Sequence, residues 1–295
     1  MQKIFPHLWY DTEAKEAAEF YIGLFEDSRL LNVTVLENTP SGDAEYVSFE
    51  LAGQRFDAMS AGPYFKFNPS ISLFVSCSSK DEVNEKWNAL MDGGKELMPL
   101  GEYAFSKWYG WVQDRFGLSW QLMFMESEPL QKITPNLLFS KDVCGKAEEA
   151  VKYYTEIFEN SEVTSVKRYE EGETESPNAK VKYAGFQLNG LHFSAMDNGF
   201  DEEYKFNEAI SFTISCKDQQ EIDYYWEKLS AVPEAEQCGW LKDQFGVSWQ
   251  IVPDNMDEIM FKGPKEEAKR VTQAVLKMKK LDIAALEKAR LESGK

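Results

Sequence analysis

Histidine is nearly absent from this chain. His7 and His192 are the only two in 295 residues, which leaves little imidazole for binding a metal or moving protons. Cysteine is scarce as well. Cys77, Cys144, Cys216 and Cys238 form no C-x-x-C pair, which excludes the common zinc and dithiol motifs. Cys77 and Cys216 lie in apolar runs and read as small buried hydrophobes of a reducing compartment. Basic residues are outnumbered, 32 Lys and Arg against 50 Asp and Glu, and a net charge of −18 argues against nucleic acid as a partner. No apolar run approaches the roughly 18 residues of a membrane span, and the opening Met-Gln-Lys-Ile-Phe-Pro-His carries no signal-peptide core, so no membrane is expected and the cytoplasm is the expected location. Glycines occur in isolated turns, with no GxGxxG or GxxxxGK pattern, and no Ser-His-Asp arrangement can be argued.

What the chain does have is a second copy of itself. Gly-Trp-Val-Gln-Asp-Arg-Phe-Gly-Leu-Ser-Trp-Gln (110–121) returns as Gly-Trp-Leu-Lys-Asp-Gln-Phe-Gly-Val-Ser-Trp-Gln (239–250). Phe65-Lys66-Phe67-Asn68, followed by Ile71-Ser72 and Cys77, returns as Tyr204-Lys205-Phe206-Asn207, followed by Ile210-Ser211 and Cys216. The offset is of domain length, so a domain has been duplicated. The copies span 1–125 and 133–254, joined by a polar stretch at 125–132, and residues 255–295 form a C-terminal helical extension.

Each copy alternates between strand and helix periods. Ile4–Tyr10 predicts a strand, 13–25 a helix with Ala14, Ala17, Ala18, Tyr21, Leu24 and Phe25 on one face, and Asn32–Glu37, Glu45–Leu51 and Arg55–Ser60 three more strands. Ile71–Cys77 opens a second such unit, whose helix is capped at Ser78 or Ser79 and which closes as a hairpin of 108–113 and 119–124. The expected fold is α+β: four βαβββ units, two per tandem domain, each pair forming a cupped mixed sheet. Sequence leaves open whether units pair within a copy or between copies, and the short connections inside each copy favour local closure. After Pro264, the helical spacing of Val271, Val275, Met278 and Leu281 predicts a tail that packs on its own domains or across a homodimer.

The doubled βαβββ pattern with its closing Asp-x-x-Gly turn resembles the vicinal oxygen chelate superfamily, which includes glyoxalase I, extradiol dioxygenases and bleomycin resistance proteins. Thr134-Pro135, Gly62-Pro63, Phe65-Lys66-Phe67-Asn68, Tyr225 through Leu229 and Trp240 through Gln250 look like its PhnB-like branch, often labelled 3-demethylubiquinone 3-methyltransferase-like. The resemblance implies a divalent metal held by a His on the first strand, a His or Glu at the start of the fifth and a Glu on the last. Those positions are expected here at Ile4 or Pro6 with Ile133 or Pro135, near Ser70 and Ala209, and at Gln121 and Gln250. Neutral amides replace the carboxylate, so no metal and no cofactor are expected. His7, whose counterpart is Asn136, is expected to point away from the ligand face, and it is the weak candidate for a general base if it does not.

An aromatic and amide-lined cup remains in each copy. The candidate ligand-binding residues are Met59, Phe67, Asn68, Trp111 and Gln121, with Met196, Phe206, Asn207, Trp240 and Gln250 as counterparts. The expected function is metal-independent binding of a small molecule. The alternatives are an enzyme of the glyoxalase or dioxygenase type with a displaced metal, and a methyltransferase as the family label suggests. No glycine-rich turn for S-adenosylmethionine accompanies that label.

Overall fold

The computed structural model describes residues 2–127, 129–200, 202–261 and 263–291. Glu128 of the linker, and Lys262 and 292–295 of the extension, lie outside the described residues. The elements run β1 (Ile4–Tyr10), α1 (Ala14–Ile22), β2 (Arg29–Thr39), β3 (Gly42–Leu51), β4 (Gln54–Ser60), β5 (Ile71–Cys77), α2 (Lys80–Met91), β6 (Lys95–Tyr103), β7 (Ser106–Gln113), β8 (Ser119–Phe124), β9 (Ile133–Phe139), α3 (Ala147–Ile157), β10 (Glu162–Arg168), β11 (Val181–Leu188), β12 (Leu191–Asp197), β13 (Ile210–Cys216), α4 (Gln219–Leu229), β14 (Trp240–Lys242), β15 (Ser248–Pro253), α5 (Met256–Phe261), α6 (Lys265–Val275) and α7 (Ile283–Leu291). The fold is α+β, built on two mixed sheets. None of these helices is long and apolar enough to cross a membrane.

The sheets exchange halves between the copies, which corrects the expectation of local closure. One sheet has the order β14-β15-β13-β1-β4-β3-β2 and joins the first quarter of the chain to the last. The other, β10-β11-β12-β9-β5-β8-β7-β6, joins the second quarter to the third. Antiparallel pairing of β1 with β13 (Ile4 beside Ile214) and of β5 with β9 (Val75 beside Ile133) makes the two joints. Linker length does not discriminate between these pairings. The connection from Phe124 to Ile133 across the copies is as short as that from Ser60 to Ile71 within one. Two compact units result. The first holds the chain through Ile22, Ser28–Phe65 and everything from Asn207 onward; the second holds Gly23–Asp27 and Lys66–Phe206.

In the first unit, alternation along β1 divides the sheet into two faces. Ile4, Leu8 and Tyr10 share a face with Phe212, Phe56, Ala58 and Ser60. This face packs under α1, since the Tyr10 and Tyr21 hydroxyls meet at 3.3 Å and Ser60 Oγ accepts the Ala14 N–H at 3.0 Å. Burial of Ala14, Ala17, Ala18 and Tyr21 there holds the helix down. Asp218 caps α4 by accepting the Glu221 N–H at 2.9 Å, and Ile222, Tyr225 and Leu229 are buried beneath it.

In the second unit Ser79 caps α2 by accepting the Glu82 N–H at 3.0 Å. Trp87 of that helix lies so close to β7 that a Cβ on Gly110 would stand 2.5 Å from its ring, which explains the glycine in the repeated motif. That motif is largely a folding device. Asp114 accepts the Phe116 and Leu118 N–H groups and the Trp120 indole at 2.8–3.0 Å, and Asp243 does the same for Phe245, Val247 and Trp249. Trp120 and Trp249 are fully buried on the helix-packed side, against Phe25 and Phe212 respectively.

The extension belongs to the first unit. Ile259, Met260, Val271, Leu281 and Leu286 form their own buried cluster, with Leu36 of β2 and Val252 of β15 packed against it. Backbone bonds from Cys238 and Gly239 to Met278 and Lys279, at 2.8 and 2.7 Å, fix the segment between α6 and α7. It therefore touches strands at both edges of the seven-stranded sheet. The short helix α5 was not foreseen from sequence.

Candidate functional site

On the other face of the seven-stranded sheet the strand registers bring one residue from each strand into a transverse row. Its members are Asn32, Ser48, Asp57, His7, Ser211, Ser248 and Lys242, from β2 across to β14. All seven are polar, and the central five are at most 3 % exposed. The next positions along the strands add Trp9, Met59, Tyr46, Gln250 and Trp240 to this face. The second sheet has the corresponding row Gly185, Ser194, Asn136 and Ser72, with Ser119 one step before the paired Leu73 and Trp120. The exchange thus groups Met59, Asn207, Trp240, Gln250 and His7 in the first unit, and Phe67, Asn68, Trp111, Gln121, Met196 and Phe206 in the second.

The two rows are wired differently. In the second unit Ser194 donates to Asn136 Oδ1 at 2.9 Å, the Gln121 amide donates to Ser72 at 2.8 Å, and the Tyr109 hydroxyl donates to Gln121 Oε1 at 2.7 Å. Asn136 Nδ2 lies 3.5 Å from the same Ser72 oxygen, and the Trp111 indole donates to Ser119 at 2.6 Å. Buried polar groups are satisfied along this row, as burial requires.

In the first unit the Gln250 amide donates to Ser211 at 3.0 Å, repeating one link. Asp57 replaces Ser194, and Tyr46 donates to its Oδ2 at 2.5 Å. Arg55 donates to both Asp57 oxygens at 3.1 and 3.0 Å and reaches Asp257 of α5 at 2.9 Å. Its guanidinium also lies 4.3 Å from the Phe5 ring centroid. Burial opposes the charge on Arg55, but Asp57 and then Asp257 hold its pKa above the ordinary value. Burial, reinforced by Asp57, pushes the Tyr46 hydroxyl well up.

Four side-chain atoms of this row are buried without a partner: both ring nitrogens of His7, Ser48 Oγ and Ser248 Oγ. Burial lowers the pKa of His7 from 6.5 to about 3, so its imidazole is neutral. Trp240 stands edge-on to it, centroids 5.5 Å apart at 88°, and Tyr46 lies 6.1 Å away. Two expectations are corrected here. His7 is fully buried on the polar face with Gln250 and Trp240, not turned away from it. Ile4 and Pro6 belong to the helix-packed phase, so the first-strand position falls on His7 and Asn136, and the fifth-strand position on Ser211 and Ser72 rather than near Ala209 and Ser70.

A divalent metal does not fit either row. The second offers only amides and hydroxyls. The first offers one imidazole, one amide and an Asp57 carboxylate whose two oxygens already serve Arg55 and Tyr46. Among the described residues no three His, Cys, Asp or Glu side chains cluster as a metal site. The remaining candidates are placed as follows. Asn68 ties its loop by accepting the Ser70 N–H at 2.8 Å and donating to Lys205 O at 2.9 Å, and Asn207 accepts from Ala209 at 2.8 Å. Phe206 meets Phe139 edge-on at 5.2 Å, and Phe67 lies over the Gly117 turn. Met196 pairs with Leu138, and His192 stands opposite Gln187. Asp57, Ser211, Ser248 and Tyr46 were missed from sequence. Aligning the copies residue by residue would have exposed the Asp57/Ser194 and His7/Asn136 exchanges as a pair.

The paired βαβββ units and their polar faces define a glyoxalase, or vicinal oxygen chelate, fold. Glyoxalase I from Zea mays shares it at 9% identity, covering 86% of this chain and 93% of that one with a TM-score of 0.53. A family model described as 3-demethylubiquinone-9 3-methyltransferase matches residues 2–123 and again 131–252, and the chain belongs to that family. A PhnB protein from Bacillus cereus, described with the same methyltransferase name, is 36% identical over 42% of this chain and all of its own, with a TM-score of 0.40. No curated protein matches the chain.

Proposed function

We propose that the chain is a metal-independent binding protein for small molecules, using the polar faces of its two sheets. The observation that carries this reading is the state of Asp57. It is the one carboxylate in either row, and both its oxygens are engaged by Arg55 and Tyr46, so that no uncommitted carboxylate stands beside His7 among the described residues of the row. What each face retains is a Gln–Ser pair set among aromatic rings, the composition of a site that orients a mostly apolar molecule through a few fixed polar contacts. Met59, Trp240 and Gln250 would contact such a molecule in the first unit, and Trp111, Gln121 and Met196 in the second. Metal analysis after dialysis tests the reading against a glyoxalase-type or dioxygenase-type enzyme. Less than stoichiometric Zn, Ni, Mn or Fe is expected, and a retained equivalent of any of them would overturn it.

A further inference from the structure

The two rows come from the same duplicated segments, yet one is satisfied and the other is not. Leaving a buried donor or acceptor without a partner is costly, so four such atoms in one row need an occupant or a rearrangement. The second unit shows what the rearrangement is. Trp111 gives its indole N–H to Ser119, whereas the indole of its counterpart Trp240 stands against His7 and makes no hydrogen bond among the described residues. The acceptor Trp240 lacks is present: Ser248, the counterpart of Ser119, is buried and unpartnered. One rotation of Trp240 would satisfy Ser248 and uncover His7 together.

We propose that the His7–Ser211–Ser248 row is a binding site for an uncharged aromatic molecule carrying a hydroxyl or amide group, entered when Trp240 swings from His7 to Ser248. The proposal rests on the small-molecule reading above and assigns the site to one of the two faces. The ligand is uncharged because the charged groups at the row are already paired, Arg55 with Asp57 and Asp257, and Lys242 with Glu208. It is aromatic because Trp9, Tyr46 and Trp240 wall the face, with Phe65 edge-on to Trp9 at 5.1 Å. A neutral imidazole offers one donor and one acceptor, which a hydroxyl or a primary amide complements.

With only two histidines, protein labelled with 15N at histidine gives two sets of ring signals, and His192→Gln assigns them. Benzamide is the probe and benzoate its charged control. Benzamide is expected to shift the His7 nitrogens and leave His192 in place, while benzoate shifts neither. Trp240→Phe, which cannot donate to Ser248, is expected to alter benzamide affinity by about threefold or more, and His7→Asn to weaken it about tenfold or more. In uniformly 15N-labelled protein the Gln121 and Asn136 side-chain amide signals are expected to stay in place. If benzamide binds but perturbs those amides and not His7, the assignment to this row is wrong while the broader reading stands. If benzamide and benzyl alcohol both leave His7 unmoved in the wild type and in Trp240→Ala, the proposal is overturned. A retained equivalent of metal would remove both.

Discussion

Gln250 reaches from β15 to β13 to donate its amide to Ser211 at 3.0 Å, and Gln121 makes the same bond to Ser72 at 2.8 Å in the other sheet. The bond recurs, but its surroundings do not. Gln121 is 3 % exposed and also accepts from Tyr109, whereas Gln250 is half-buried and a cysteine, Cys238, stands at the position equivalent to Tyr109.

The asymmetry predicts unequal losses. Gln121→Leu strands both Tyr109 and Ser72 and is expected to lower stability by about 2–3 kcal/mol, against about 1 kcal/mol for Gln250→Leu. Chemical denaturation of the two variants measures the difference. Equal losses would mean that the second row is not the more tightly wired one.

Asp243 is the anchor of the turn before β15, accepting two backbone N–H groups and the Trp249 indole. In Asp243→Asn the new amide can face the indole only donor to donor. The variant is expected to lose about 2 kcal/mol and to shift tryptophan emission, with Asp114→Asn behaving alike. Unchanged melting and emission would contradict the role given to both carboxylates.

His7 makes a pH prediction of definite sign. Its folded pKa, about 3, lies below the unfolded value of 6.5, so the unfolded chain binds the proton more readily. Stability contributed by the neutral form is complete above pH 6.5 and falls by about 1.4 kcal/mol per unit as pH drops toward 3. His7→Asn removes this term, so the difference between wild type and variant isolates it from the carboxylates. A difference that does not change with pH would show that His7 is not buried neutral.

The exchange of halves between copies predicts that neither copy is complete alone. Residues 1–127 carry one half of each sheet. Expressed alone they are expected to self-associate, and mixed with 129–295 to give a one-to-one complex. Light scattering on a sizing column reads the masses. A folded monomer of 1–127 would contradict the pairing.

Much of this architecture is legible in the amino-acid sequence. The tandem copies, a serine cap at Ser78 or Ser79, the helix after Pro264 and the strand at Ile71–Cys77 all follow from local periodicity and end signals. Strand partners do not, because β1 meets β13 over most of the chain and every linker between units is of similar length. The phase of β1 is hidden for a related reason. Ile4, Phe5, Pro6, His7, Leu8 and Trp9 are mostly apolar on both faces, so alternation alone does not say which face meets the helices. Gln121 and Gln250 stood out as amides within apolar strands, whereas Ser211 and Ser248 are too common a residue type to signal a site.

Native mass spectrometry of the full chain, purified without chelator, tests the central claim most directly. Protein free of divalent metal is expected, carrying an uncharged organic molecule that organic extraction removes. One equivalent of a transition metal that survives dialysis and leaves only on acid unfolding would contradict it.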